Sequence, residues 1–129
     1  MWKKIVLALI LILVLSASGF LSYRYQQAKD WSFYYDPGDK FVTDIADSKR
    51  VIGADLVIRM SDSRREAYLA ENNQRIRNTV VFILRAKTEA ELKSRSIEAT
   101  LNEEILDRLN DEFDSDEFVQ VYFNEFVVH

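Results

Sequence analysis

Arg50-Val51-Ile52-Gly53-Ala54-Asp55-Leu56-Val57-Ile58-Arg59-Met60 is the stretch on which the architecture turns. Ile52, Ala54, Leu56, Ile58 and Met60 fall at every second position, with Gly53, Asp55 and Arg59 between them. Successive side chains of a strand point to opposite faces, so this period sets one apolar face against a core. Gly53 inside such a strand marks a bulge or a close approach of other backbone. Just upstream, residues 40–47 read as a shorter first strand.

Downstream the spacing becomes helical. Ser63-Arg64-Arg65-Glu66 has the spacing of a capping box, in which serine and glutamate each satisfy a free amide at a helix start. Leu69, Ile76, Val80, Ile83 and Leu84 then recur on one stripe, which predicts a helix over 64–86. Arg85 and Lys87 close it, where cations suit the helix dipole. A second box, Thr88-Glu89-Ala90-Glu91, opens another helix. Its stripe is Ile97, Leu101, Ile105 and Leu109, widened by Leu106 and Phe113, and Ser94 or Ser96 divides it into a short turn and a longer piece. Residues 117–129 form the last strand. Val119, Val121, Phe123, Glu125 and Val127 share one face, and Gln120, Tyr122, Asn124, Phe126 and Val128 the other. The rings of Tyr122 and Phe126 imply that the second face is also partly covered. Antiparallel strands with two amphipathic helices make an α+β domain.

Upstream, residues 5–23 carry no ionisable charge before Tyr23 and run apolar from Ile5 to Leu15, then through Phe20 and Leu21. As a helix they span about 28 Å, close to a ~30 Å hydrocarbon core. Lys3 and Lys4 precede them, which keeps residues 1–4 in the cytoplasm, and Trp2 and Tyr23 suit the two interfaces. A cleaved signal peptide is the rival, with Ser16, Ala17 and Ser18 as the small residues before a cut. Residues 24–38 read as a stem bearing Trp31, Phe33, Tyr34 and Tyr35 and ending in the turn Asp36-Pro37-Gly38. These aromatics serve either interfacial anchoring and packing or partner docking. Residues 39–129 are the exported domain.

Composition excludes most chemistry. Across 129 residues there are 3 glycines, far apart, so no phosphate-cradling loop exists. There is no cysteine, hence no disulfide, thiolate nucleophile, cysteine-ligated zinc or lipidated cysteine. The one histidine, His129, stands last and lacks a triad. No cofactor or metal is expected. With Lys3 and Lys4 set aside, the rest of the 17 basic residues face all 21 acids, a net charge of −6. Nucleic acid is therefore not a partner. The acids Asp111, Glu112, Asp114, Asp116 and Glu117 lack the glycine and distal glutamate of a calcium loop and read as a solvated turn. That turn sits at a helix C-terminus, where negative charge is unfavourable and calls for compensation. Glu125 is expected beside an arginine or near a solvent edge. Arg64, Arg65, Arg75 and Arg77 read as a solvated face. No catalytic set emerges, and the domain is not expected to be an enzyme.

The last third carries a resemblance. Lys87-Thr88-Glu89-Ala90-Glu91-Leu92, then Leu101-Asn102-Glu103-Glu104-Ile105-Leu106, then Val121-Tyr122-Phe123-Asn124-Glu125-Phe126-Val127-Val128-His129 resemble the flagellar basal-body-associated FliL family. Its closing strand typically reads V-Y-F-T-E-F-V-(V/I)-Q. Gly38-Asp39-Lys40-Phe41-Val42-Thr43-Asp44-Ile45 is similar to the family's Gly-x-x-F-x-(T/V)-N-(L/V) first strand. Asn124, Asp44 and His129 depart from the usual Thr, Asn and Gln. The resemblance implies a single-pass inner-membrane protein anchored through Ile5 to Tyr23, with a stomatin-like exported domain. It further implies partners in the basal body and stator units, and a homo-oligomeric ring that stabilises or activates ion-driven rotation. The alternative class is a membrane-anchored exported module that binds a ligand or lipid and has no part in motility.

Overall fold

A computed structural model describes residues 1–27 and 30–129, with side chains through Tyr23 and again from Asp30. The chain falls into two compact units, Met1–Asp30 and Trp31–His129.

The first unit is one helix, α1 (Trp2–Gln27), longer at both ends than the sequence predicts. Trp2–Tyr23 is long and apolar enough to cross a membrane, a test that signal sequences near an N-terminus also pass. Two of its hydroxyls are satisfied within the helix. Ser16 Oγ donates to the carbonyls of Ile12 at 2.9 Å and Leu13 at 3.1 Å, and Ser18 Oγ to Leu15 at 3.0 Å. Such back-bonding lets serine sit in an apolar helix without an orphaned polar group.

The second unit is a sheet with helices on one face, as an α+β domain requires. Its strands are β1 (Phe33–Tyr35), β2 (Phe41–Ile45), β3 (Ser48–Met60) and β4 (Phe118–Val128), all antiparallel to β3. β4 pairs with Ile52 to Met60 along one edge of β3. β2 and β1 lie end to end along the other, β2 against residues 48–54 and β1 against 58–60. Part of the expected stem is therefore a strand: residues 33–35 belong to the sheet, while 28 and 29 lie outside the described residues. Three residues are too few to show a period, which is why β1 escapes a sequence reading.

The alternation in β3 holds. Ile52, Ala54, Leu56, Ile58 and Met60 are all fully buried. β4 departs from its predicted faces, because it carries two bulges. Asp55 pairs with Glu125 and Leu56 with Phe123, which leaves Asn124 as an extra residue; Arg59 pairs with Gln120 and Met60 with Phe118, which leaves Val119 extra. Each insertion shifts the face by one position. Phe118, Val121, Phe123, Phe126 and Val128 consequently oppose the core residues of β3, whereas Val119 and Val127 are exposed. Phe126 packs against the core and does not share the outer face with Tyr122.

The first predicted helix is broken. A 3-10 turn (Ser63–Arg65) leads into α2 (Glu66–Glu71) and, after Asn72, α3 (Asn73–Arg85). The box at Ser63 is not made, because Asp62 takes the cap: its carboxylate accepts from Arg64 N at 3.0 Å and from Arg64 Nε at 2.9 Å. At the break, Asn72 Nδ2 donates to Tyr68 O at 2.8 Å, a local bond that competes with helix continuation. The second box is made as read. Thr88 caps α4 (Glu89–Leu92), accepting from Glu91 N at 3.2 Å, while Glu91 Oε1 accepts from Thr88 N at 3.1 Å. The chain turns through residues 93–96 and enters α5 (Ile97–Glu112), whose Ile97, Leu101, Ile105 and Leu109 are all buried.

The caps make stability pH-dependent. The Thr88 amide, then its hydroxyl, holds the Glu91 carboxyl below the ordinary glutamate range. A bond from Lys93, then one from Arg50, does the same for Glu89, and Arg64 for Asp62. A depressed folded value means that the unfolded chain takes up the proton first. The stabilisation is complete above the ordinary value of about 4.3 for glutamate and is lost as pH falls through that range. Glu91→Gln should therefore lower the denaturation midpoint slightly near neutrality and flatten part of its fall between about pH 5 and 3, so that the two proteins converge in acid. Parallel acid profiles for the two proteins would show the box to be inert.

Candidate functional site

The helices cover one face of the sheet and leave the other open among the described residues. Side chains between the core positions of each strand reach it. β1 supplies Tyr34, β2 supplies Val42 and Asp44, β3 supplies Gly53, Asp55, Val57 and Arg59, and β4 supplies Gln120, Tyr122, Glu125 and Val127. Tyr34 is 65% exposed, Val42 63% and Tyr122 41%. The Tyr34 and Tyr122 rings meet across β3 with centroids 5.9 Å apart and planes at 59°. Exposed apolar surface gathered on a flat sheet face suits contact with another protein.

Lys40 lies across this face. Its Nζ donates to Glu125 Oε1 at 2.8 Å, so an ion pair spans from the start of β2 over β3 to β4. The route passes over Gly53, where an added Cβ would stand 2.9 Å from Lys40 Cε. Gly53 thus marks a close approach, but by a side chain rather than by backbone, and the bulges lie elsewhere. Gly53→Val should displace Lys40 and abolish the Lys40–Glu125 coupling. The pair is exposed and such pairs contribute about 0–1 kcal/mol, so the thermal midpoint should barely move. A double-mutant cycle on Lys40 and Glu125 in both backgrounds checks this; undiminished coupling in Gly53→Val would contradict it.

The four aromatics read as one strip are separated. Tyr35 is buried, and its hydroxyl bonds Leu69 O and Asn73 Oδ1. Burial, with the Asp36 charge second, pushes that phenol up from its ordinary value. Phe33 packs against the core. Tyr34 faces out, and Trp31 precedes β1 with the Arg64 guanidinium 5.3 Å from its ring centre. In the closing strand Val121 is buried, Phe123 and Phe126 pack on the core, and Tyr122, Glu125 and Val127 face outward.

The arginines are more than a solvated face. Besides Arg64, Arg65 lies 4.3 Å from the Tyr68 ring, Arg75 4.4 Å from Phe113 and Arg77 4.1 Å from Phe41. Arg65 also pairs with Glu117 at 3.0 Å and Arg75 with Glu112 at 3.4 Å. These two pairs compensate the acidic end of α5. Asp114 turns the chain there with φ of 48°, in the left-handed region that Asp tolerates better than most residues. Among the described residues no group of three or more His, Asp and Glu could hold a metal ion.

The family model described as flagellar basal body-associated protein FliL matches residues 34–128, from Tyr34 in β1 to the end of β4. The chain belongs to this family, a family of non-catalytic accessory proteins of the flagellar motor. Comparison with curated proteins gives no match.

Proposed function

We propose that this protein is anchored by α1 in the cytoplasmic membrane, with residues 1–4 inside and the domain outside, and acts on the stator units of the motor. Copies of the domain assemble around a stator, and the open sheet face grips the stator's exported portion. A surface that binds one stator conformation more tightly shifts the population toward it, and torque generation follows that shift. The family match over residues 34–128, nearly all of the folded unit, carries this reading. Lys3 and Lys4 before the apolar helix support the orientation.

The test is cross-linked co-purification of the full chain from native membranes. Stator proteins should be recovered with it; basal-body components without any stator protein would overturn the stator assignment. The chain has no cysteine, so single cysteines at Lys3 and Ala99 report topology directly. Only the cysteine at 99 should react with a membrane-impermeant maleimide in intact cells. Loss of residues 1–18 from the mature protein would replace the anchor with a cleaved signal.

A further inference from the structure

Among the described residues β4 is an edge strand, pairing with β3 alone. Edge strands present outward backbone groups that template pairing with another chain. The pairing parity shows which groups these are. Val51 and His129 exchange both backbone bonds, at 3.1 and 2.8 Å, so the residues of β4 bonded to β3 alternate from there. Allowing for the two bulges, the outward residues are Phe118, Val121, Phe123, Phe126 and Val128.

Three of these five are taken by side chains of this same chain. Asn110 on α5 acts as a piece of strand at Phe118, its Oδ1 accepting from the amide at 3.1 Å and its Nδ2 donating to the carbonyl at 3.0 Å. Two turns earlier, Asn102 Oδ1 accepts from Val121 N at 2.7 Å. At the far end, Arg50 Nη2 donates to Val128 O at 3.3 Å. The plugs stand at both ends, and in the six residues between them only Phe123 and Phe126 present outward backbone groups, with the Asn124 bulge interrupting the edge between the two.

We propose that Asn102 and Asn110, with Arg50, are edge guards: they keep β4 from adding the β4 of a second copy. Whatever assembly the chain forms, sheets are not continued across it at this edge. The inference rests on hydrogen bonds within one domain and is independent of the flagellar reading.

The test uses the full chain in detergent micelles. In Asn102→Ala/Asn110→Ala, diluted until it is monomeric, the Val121 amide should exchange at least about tenfold faster, since its partner is gone, and concentrating the protein should bring the two further changes. The particle should grow at least twofold in mass over wild type, and the Phe123 and Phe126 amides should gain protection as a strand is added. Asn102→Asp keeps the acceptor and should match wild type in all three readouts. Unchanged particle mass with faster Val121 exchange overturns the proposal, and so does growth without protection at Phe123 and Phe126. If the double variant does not fold, Asn102→Ala alone decides by the same readouts.

Discussion

Leu56→Asp should leave a domain without a cooperative thermal transition, while Val42→Asp melts close to wild type. Both positions lie in adjacent strands of the same sheet, yet they face opposite ways. Leu56 is fully buried at the centre of β3, opposite Phe123 and under the helices. A carboxylate there has no cation within the core, which is otherwise apolar around it. An unpaired buried charge costs several kcal/mol, or the group neutralises at a similar cost. Domains of this size are stable by only about 5–15 kcal/mol, and the lost leucine packing adds about 2–5 kcal/mol more. Val42 is 63% exposed, so its replacement removes little buried area and costs about 1 kcal/mol, mostly in strand propensity. Near-ultraviolet circular dichroism and thermal melts of the two variants decide. A cooperative melt for Leu56→Asp near the wild-type midpoint would mean that the core is elsewhere.

Tyr34→Ser/Tyr122→Ser should abolish support of swimming in a deletion strain while the domain stays folded. These rings make the largest apolar contribution to the open sheet face, and their mutual contact is worth about 0.5–1.5 kcal/mol to stability. Removal therefore lowers the melting midpoint by a few degrees and leaves the fold intact. At a protein interface, by contrast, aromatic anchors commonly carry more than about 2 kcal/mol each, so losing two weakens binding by several hundredfold or more. Tyr35→Ser is the informative control. It removes the buried phenol that bonds Leu69 O and Asn73, so it should destabilise the domain more than the surface pair does. Swimming at wild-type speed under viscous load by the Tyr34/Tyr122 variant would remove the open face from the docking role.

Legibility followed the range over which a pattern is enforced. β3 shows its faces plainly because five consecutive inward positions all meet the core, and the α5 stripe does so because one helix face packs on one sheet. The Thr88 box is local chemistry, complete within four residues, and it forms as written. The Ser63 box is equally local but fails, since Asp62 lies one residue ahead and is a stronger acceptor held by Arg64. The break at Asn72 turns on one amide reaching back to Tyr68, which no apolar period records. At the candidate site, Glu125 stands near solvent as one branch of the reading has it, and its partner is a lysine 85 residues away in sequence rather than an arginine. The rings under the arginines are similarly remote for Arg77 and Phe41, though Arg65 and Tyr68 stand close enough to have been seen. The open face runs against the sequence reading, in which the Tyr122 and Phe126 rings imply a partly covered second face; the Asn124 bulge turns Phe126 to the core and leaves Tyr122 exposed.

The bulges at Asn124 and Val119 make the closing strand three words rather than one. Residues 120–123 and 125–128 keep opposite phase with Asn124 as the spacer that joins them, and Val119 is a second spacer between Phe118 and Gln120. Shortening the chain by Asn124 would leave Phe123 opposite Leu56 and Glu125 opposite Asp55, a regular ladder with every inward side chain still inward. Removing Tyr122 instead would draw its neighbours across the sheet and carry Val121 out of the core. Tolerance of a length change in this strand is thus concentrated at its two bulged residues, Asn124 and Val119. Homologues one residue shorter at either would align in space with the strand on both sides of it while their sequences slip.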